Sequence, residues 1–322
     1  MRARRSVWAD PEIQKLAGKF IPATDEVTML HRDQGAAGKH FRLVSEKGHY
    51  GRNPLDWTRQ GLYCLAPSGE FLGSVNSTRA EDVKAFLKES WEAWEKLPKG
   101  RRLMEGAPGE WRDRWADRYP VDGMVWKVTS RDLPRANARK DWAGHAWNID
   151  YAWFRREDLA RFMPADAKAG LKKDVDGELV ARFARCHLVD NVRGQTIAFP
   201  ADAVKKATMV LVTESVKGDR VTVRLEGEVR LEQRGRWAVD DTGEREQTRG
   251  FEGKLLGAGV WSLKAGTFES LEIVAAGVRW GATRYNFRAD DLERGAIGYV
   301  MQLAPDTPAD RMAPASIWEY GW

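Results

Sequence analysis

Two stretches concentrate the groups that could do chemistry. The first is Cys186-His187-Leu188-Val189-Asp190-Asn191-Val192-Arg193-Gly194-Gln195. It places a thiol, an imidazole, a carboxylate, an amide and a guanidinium within one short segment. The thiol is a candidate nucleophile if another segment supplies the base. Cys186 and His187 cannot form a dyad by adjacency, because neighbouring residues on a helix point in different directions. The competing reading is a helix end. There His187 meets the last carbonyls, Asp190-Asn191 makes the turn, and Gly194 follows. The second stretch is Arg279-Trp280-Gly281-Ala282-Thr283-Arg284-Tyr285-Asn286-Phe287-Arg288. Interleaved arginines and aromatics can stack on a planar or cationic ligand. We expect Trp280 and Tyr285 as walls of a ligand site, with Arg279 and Asn286 as its polar contacts. Its place would be the mouth of a curved sheet, where a concave apolar surface is available. The alternative is a plug, in which these aromatics fill the end of the sheet and the arginines stack over them. A ring of Trp142, Trp147, Trp153 and Trp280 around a cleft would suit carbohydrate.

Other chemistries lack their residues. His31, His40 and His49 are spaced by nine, which fits neither one helix face nor the usual metal-ligand pairs. No phosphate-binding glycine loop, nucleophile elbow or His-Glu-x-x-His occurs. No cofactor or metal is expected, and no catalytic residue is assigned. Cys64 and Cys186 stand far apart, outside any paired motif, and are expected as two buried free thiols.

The elements that must position these groups follow from periodicity and punctuation. Asp10-Pro11 is a favoured helix start, and Ile13, Leu16, Ala17 and Phe20 share one face. Residues 20 to 27 read as a buried strand, and Ala36 to Lys47 as a helix. Gly61 to Ala66 and Glu70 to Asn76 form a hairpin around Pro67-Ser68-Gly69. Thr78 and Glu81 make a capping box for a helix with Val83, Phe86, Leu87, Ser90, Trp91, Trp94 and Leu97 on one stripe. Trp111 and Trp115 could share a short helix. Further on the chain turns to β. Residues 123–129 and 145–154 read as strands, 157–163 and 177–187 as helices. From Val221 to Leu231 apolar residues alternate strictly with charged ones, which marks a half-buried antiparallel strand. It pairs back on Thr208 to Val216 through Lys217-Gly218-Asp219. Gly250 to Leu263 and Thr267 to Gly277 form another hairpin, and Ile297 to Leu303 a last strand. Glycines at 253, 257 and 259 suggest strong bending.

The order Val7-Trp8-Ala9-Asp10-Pro11-Glu12-Ile13, then Lys19-Phe20-Ile21-Pro22-Ala23-Thr24-Asp25, then a hairpin and a helix, resembles the thioredoxin-like superfamily. The likeness covers roughly residues 3 to 97. It implies an active-site Cys-x-x-Cys about two turns before Trp8, at or upstream of Met1, so the domain would be truncated. The cis-proline before the hairpin is also missing, since Thr58-Arg59-Gln60-Gly61 occupies that junction. The resemblance therefore implies a redox-inactive domain.

The whole is expected to be α+β. Residues 1–98 would be an incomplete thioredoxin-like α/β domain, 99–120 a linker, and 121–322 an antiparallel, curved β domain with a few helices. The 52 basic and 47 acidic residues give a net charge of +5 with both signs mixed, which argues against nucleic acid as a partner. No apolar run is long enough to span a membrane. The first residues carry no secretory signal, so the default compartment is the cytoplasm, or the envelope or exterior if the chain is truncated. With 15 tryptophans, most must be buried or stacked. The leading expectation is a non-catalytic binding or scaffold protein with an unknown protein, small-molecule or carbohydrate partner. The alternatives are a fragment of a thiol-disulfide oxidoreductase and a carbohydrate or small-ligand module.

Overall fold

The computed structural model describes residues 7–8, 10–23, 27–51, 59–77, 79–103, 118–133, 140–163, 167–307 and 310–322. They fall into two compact units, Met1–Trp115 and Ala116–Trp322. The division lies inside the stretch 99–120 read as a linker. Trp111 and Trp115, and Thr78 of the expected capping box, lie outside the described residues.

The first unit contains helices α1 (Pro11–Ala17), α2 (Val27–Arg32) and α3 (Ala36–Glu46), the hairpin β1 (Leu62–Leu65) and β2 (Phe71–Val75), and helices α4 (Ala80–Lys96) and α5 (Lys99–Arg102). Asp10 caps α1, its carboxylate accepting from Glu12 N at 2.8 Å and Ile13 N at 3.3 Å. Ile13, Val83, Phe86, Leu87 and Cys64 form a small core with Val7.

The expected fold class is corrected here. The chain is mostly β, and its first unit holds a two-stranded sheet without the α/β core of a thioredoxin-like domain. The strand expected over residues 20 to 27 is not formed. Phe20 turns edge-on to Trp91, with ring centroids 6.0 Å apart, and Lys19 lies over the same indole. Ile21 is 95% exposed, Pro22 has no N–H to give a ladder, and the chain enters α2 at Val27. A single anchored aromatic beside a solvated isoleucine is a connection, although the residue types suit a strand. The hairpin β1–β2 therefore has no neighbouring strand among the described residues.

The second unit is built on one eight-stranded antiparallel sheet. Its strands are β3 (Met124–Asp132), β4 (Trp147–Phe154), β5 (Lys172–Asp174), β6 (Val204–Lys217), β7 (Arg220–Ala238), β8 (Glu244–Ser262), β9 (Thr267–Trp280) and β10 (Gly295–Leu303), in the order β4-β3-β10-β9-β8-β7-β6-β5. Helix α6 (Arg156–Leu159) follows β4, and α7 (Gly177–His187) lies between β5 and β6. Period-two alternation decides which face is dry. On β7, Val221, Val223, Leu225, Val229 and Leu231 are buried, while Arg224, Glu226, Glu228 and Arg230 face water. Phe251 and Leu255 of β8, Leu271 and Ile273 of β9, and Tyr299 and Met301 of β10 join the same core.

Helix α7 covers this core. Asp176 caps its start by accepting from Glu178 N at 3.0 Å and Leu179 N at 3.1 Å. Leu179, Val180, Phe183 and Ala184 then form the apolar stripe that packs inward. Trp126 fills the centre, with Phe154, Phe162 and Phe183 rings 4.6, 5.6 and 5.3 Å away. No helix among the described residues is long and apolar enough to cross a membrane.

Two neighbouring positions test the sidedness of the sheet. Leu225 is fully buried, and Leu256, one residue out of phase on the adjacent strand, is 62% exposed. Leu225→Ala should lower the unfolding free energy by about 2–5 kcal/mol. Leu256→Ala should change it by no more than about 0.5 kcal/mol. Denaturant titration of both variants gives the comparison, and equal losses would contradict the assigned faces.

Candidate ligand-binding cleft

The site is built outward from buried charge. Arg288 is fully buried. Its guanidinium donates to Asp132 at 2.7 and 2.9 Å, to Asp190 at 2.7 and 2.9 Å, and to Asp291 at 3.1 Å. Arg193 reaches Asp132 at 3.0 Å and Asp291 at 2.8 Å. Arg279 donates to the Asp291 carboxylate at 2.6 Å and to its carbonyl. Three guanidiniums thus face three carboxylates, so the cluster is electrically balanced, as burial demands. Burial pushes the Asp132 carboxyl up, but the Arg288 hydrogen bonds and the surrounding arginine charges outweigh it and leave the group below its usual value. Burial also disfavours the charge of Arg288, and Asp190 and Asp132 reverse this, raising it overall. Arg193 Nε and Nη1, Arg279 Nε and the Tyr299 hydroxyl find no hydrogen-bond partner among the described residues.

The cluster joins three segments: the end of β3 through Asp132, the loop after α7 through Asp190 and Arg193, and the loop 281–291 through Arg288 and Asp291. Further contacts hold the last loop. Gln195 N donates to Tyr285 O at 2.8 Å, Trp237 Nε1 to Ala282 O at 2.8 Å, and Thr283 N to Asn286 Oδ1 at 3.1 Å. Gly194 permits the closest approach, since a Cβ there would lie 2.0 Å from Tyr285 O. The loop therefore alternates. Asn286 and Arg288 are buried, while Tyr285 is 61% and Phe287 50% exposed. Phe287 adopts φ 53°, a left-handed backbone conformation that is unusual for a bulky residue. It is the one such non-glycine residue among those described, and such strain concentrates at ligand clamps and active sites.

The outward rings line an open cleft of about 520 Å³. Trp142 supplies a third aromatic wall, edge to face with Phe287 at 6.0 Å and 85°. The turn after β7 adds Asp240 and Asp241, and the loop itself adds Arg284 and Asp290. Arg284 pairs with Asp241 at 2.7 Å. Asp240 accepts from Thr242 N at 2.9 Å and from the Thr242 hydroxyl, which holds its carboxyl below the ordinary range.

The residues expected as one ligand site are divided between the interior and this cleft. Tyr285 lines the cleft. Arg279 and Asn286 are buried and support the loop from within. Trp280 lies against Gly250, where a Cβ would meet its ring at 2.1 Å, and Arg294 sits 4.4 Å over the indole. Trp280, Arg279 and Asn286 do line a common cavity, but its volume is about 10 Å³, too small for an organic ligand. The four tryptophans considered for a carbohydrate ring are likewise dispersed. Trp142 is in the cleft, Trp147 is exposed at the start of β4, and Trp153 is buried with its Nε1 donating to Met312 O at 3.0 Å.

The polar cluster after α7 also divides. Asp190 and Arg193 enter the buried ionic cluster, and Asn191 Oδ1 accepts from Thr196 N at 2.8 Å. His187 turns the other way. Its Nδ1 lies 2.7 Å from Asp150 Oδ2 and its Nε2 2.5 Å from the Tyr320 hydroxyl. Asp150 also accepts from Tyr151 N and Ala315 N. This carboxylate–imidazole–phenol chain is sealed, since the His187 side chain is fully buried, and burial raises the Tyr320 phenol well above its ordinary value. It pins segment 310–322 to α7 and β4, with no opening onto the cleft residues. Cys186, beside it, is a free buried thiol that burial pushes up to about 12; Cys64 is likewise free, buried and raised by burial. Neither is a thiolate at neutral pH, so neither is an activated nucleophile.

Sequence reasoning did not assign Phe287, Arg284, Asp240, Asp241, Asp290 or Trp142 to a joint site. One signal was legible: Tyr285-Asn286-Phe287-Arg288 alternates aromatic and polar residues, the pattern of a segment with one wet and one dry side. Here the aromatics are on the wet side, which inverts the usual sense. The chain matches no protein-family model, no curated protein and no solved structure.

Two measurements check the buried chemistry. Arg288→Ala should destabilise the second unit by about 3–5 kcal/mol, because it leaves buried carboxylates uncompensated. The lowered carboxyl of Asp132 fixes the direction of the pH effect. Its contribution is fully present above the unfolded carboxyl value of about 3.9 and is lost as pH falls through the lower folded value. Unfolding curves between pH 7 and pH 2 should show that loss, and it should disappear in Asp132→Asn. In addition, the native chain should not react with an aromatic disulfide reagent at neutral pH, whereas denaturant should release two reactive thiols.

Proposed function

We propose that this protein is a non-catalytic binding protein whose ligand sits in the cleft between Trp142, Tyr285 and Phe287. One observation carries the reading. Buried anchors at Asn286 and Arg288 hold two large aromatic rings in water on the same short loop. Exposing that much apolar surface is unfavourable unless something covers it. A loop already fixed by an ionic cluster loses little conformational freedom when it binds, so the affinity its rings provide is not spent on ordering. The sealed state of Cys64, Cys186 and His187 favours binding over thiol or acid–base chemistry.

The test separates the two sides of the loop. Ligand-detected NMR with the full chain should find saturable binders in a panel of neutral oligosaccharides, alkylammonium compounds and short peptides. Tyr285→Ala should weaken such binding while changing stability by less than about 0.5 kcal/mol. Asn286→Ala should instead destabilise by about 1–3 kcal/mol, since it unmakes a buried hydrogen bond. A panel without any binder sensitive to Tyr285→Ala would overturn the proposal.

A further inference from the structure

The charge and shape of the cleft narrow its ligand. We infer that the cleft takes an organic cation with a compact alkylammonium head; this rests on the cleft being the binding site. Its lining holds three carboxylates, Asp240, Asp241 and Asp290, against one guanidinium, Arg284. Counting Arg245, which approaches Asp240 at 3.9 Å, carboxylates still outnumber guanidiniums three to two. The chain as a whole carries +5, so the local sign is opposite to the global one. A cation is drawn to such a site and an anion is repelled.

The rings agree with the charges. Trp142 and Phe287 meet at 85°, so their planes form a corner. A sugar ring stacks best on one flat platform. A compact cationic head instead gains from several aromatic faces converging at different angles, as in aromatic cages for quaternary ammonium groups. The only guanidinium lining the cleft is already committed, paired with Asp241 and 5.7 Å over the Tyr285 ring. That contact places a cation on one of the cleft's own aromatic faces.

Choline and its uncharged isostere 3,3-dimethylbutan-1-ol separate charge from shape. Titration calorimetry on the full chain at low ionic strength should give saturable choline binding, with the neutral alcohol at least about tenfold weaker. Raising salt should weaken choline by screening the exposed carboxylates. Asp240→Asn and Asp290→Asn should each weaken it up to about fivefold, the scale of an exposed charge pair. Phe287→Leu keeps an apolar side chain but removes the π face, so it should weaken choline and leave the neutral alcohol unchanged. Tyr285→Ala serves as the second variant if Phe287→Leu alters the thermal midpoint. Equal binding of choline and the alcohol would overturn the cation and leave the cleft standing as an apolar site. Binding of a neutral oligosaccharide without choline would do the same in favour of carbohydrate. Absence of binding by all three would overturn the cleft as well.

Discussion

The guanidinium of Arg288 sits where three segments distant in sequence must meet. It satisfies Asp132 at the end of β3, Asp190 in the loop after α7, and Asp291 on its own loop. A charge out of water is tolerable only with matched partners in good geometry. The requirement is mutual: the carboxylates need the arginines as much as the arginines need them. The cluster thus works as a registration device. If any of the three segments is displaced, an unpaired charge remains in the interior. Whether a hydrophobic replacement would be more stable is a separate matter. What the ionic version supplies is a single arrangement, because apolar side chains can slide and paired charges cannot.

The cleft depends on that arrangement. With Arg288 fixed inside, Phe287 must point out, and its backbone takes a left-handed conformation to do so. With Asn286 fixed inside, Tyr285 points out as well. The exposed rings are thus a result of how the interior is satisfied. The long β7–β8 hairpin brings the acidic turn to the same place, because Trp237 near its end donates to Ala282 O. Sheet, loop and turn meet at one edge, and the aromatic walls and the carboxylates come from different elements. Local pattern could not have joined them.

What could be read from the sequence follows the same division. The alternation over Val221 to Leu231 marked β7, and the Asp176 start with an inward stripe at Leu179, Val180 and Phe183 marked α7, because each is a local consequence of period and capping. The length of β8 was underestimated at its start. Residues 244–249 are polar on both faces and carry no period, and they are extended because β7 pairs with them. The strand expected at Phe20 failed for the converse reason: residues with strand propensity had no partner strand, and an indole on α4 took the phenylalanine instead. The grouping of Trp280 with Tyr285 assumed one loop, whereas Trp280 still belongs to β9 and packs across Gly250. Partners remote in the chain decide these cases, and composition does not encode them.

The strand order has a bearing on how the chain reaches its native state. β3 lies between β4 and β10, and the register couples Met301 to Val128. Well over a hundred residues separate the two. Closing so long a loop is entropically unfavourable before any contact rewards it, which slows folding. During synthesis, the β3–β4 hairpin emerges early and keeps one edge of unpaired amides until β10 leaves the ribosome. Such an edge is a template for pairing with other chains. The order in which the strands are made thus differs from the order in which they lie. The interval between β3 and β10 is the period in which a nascent chain is most open to misassembly.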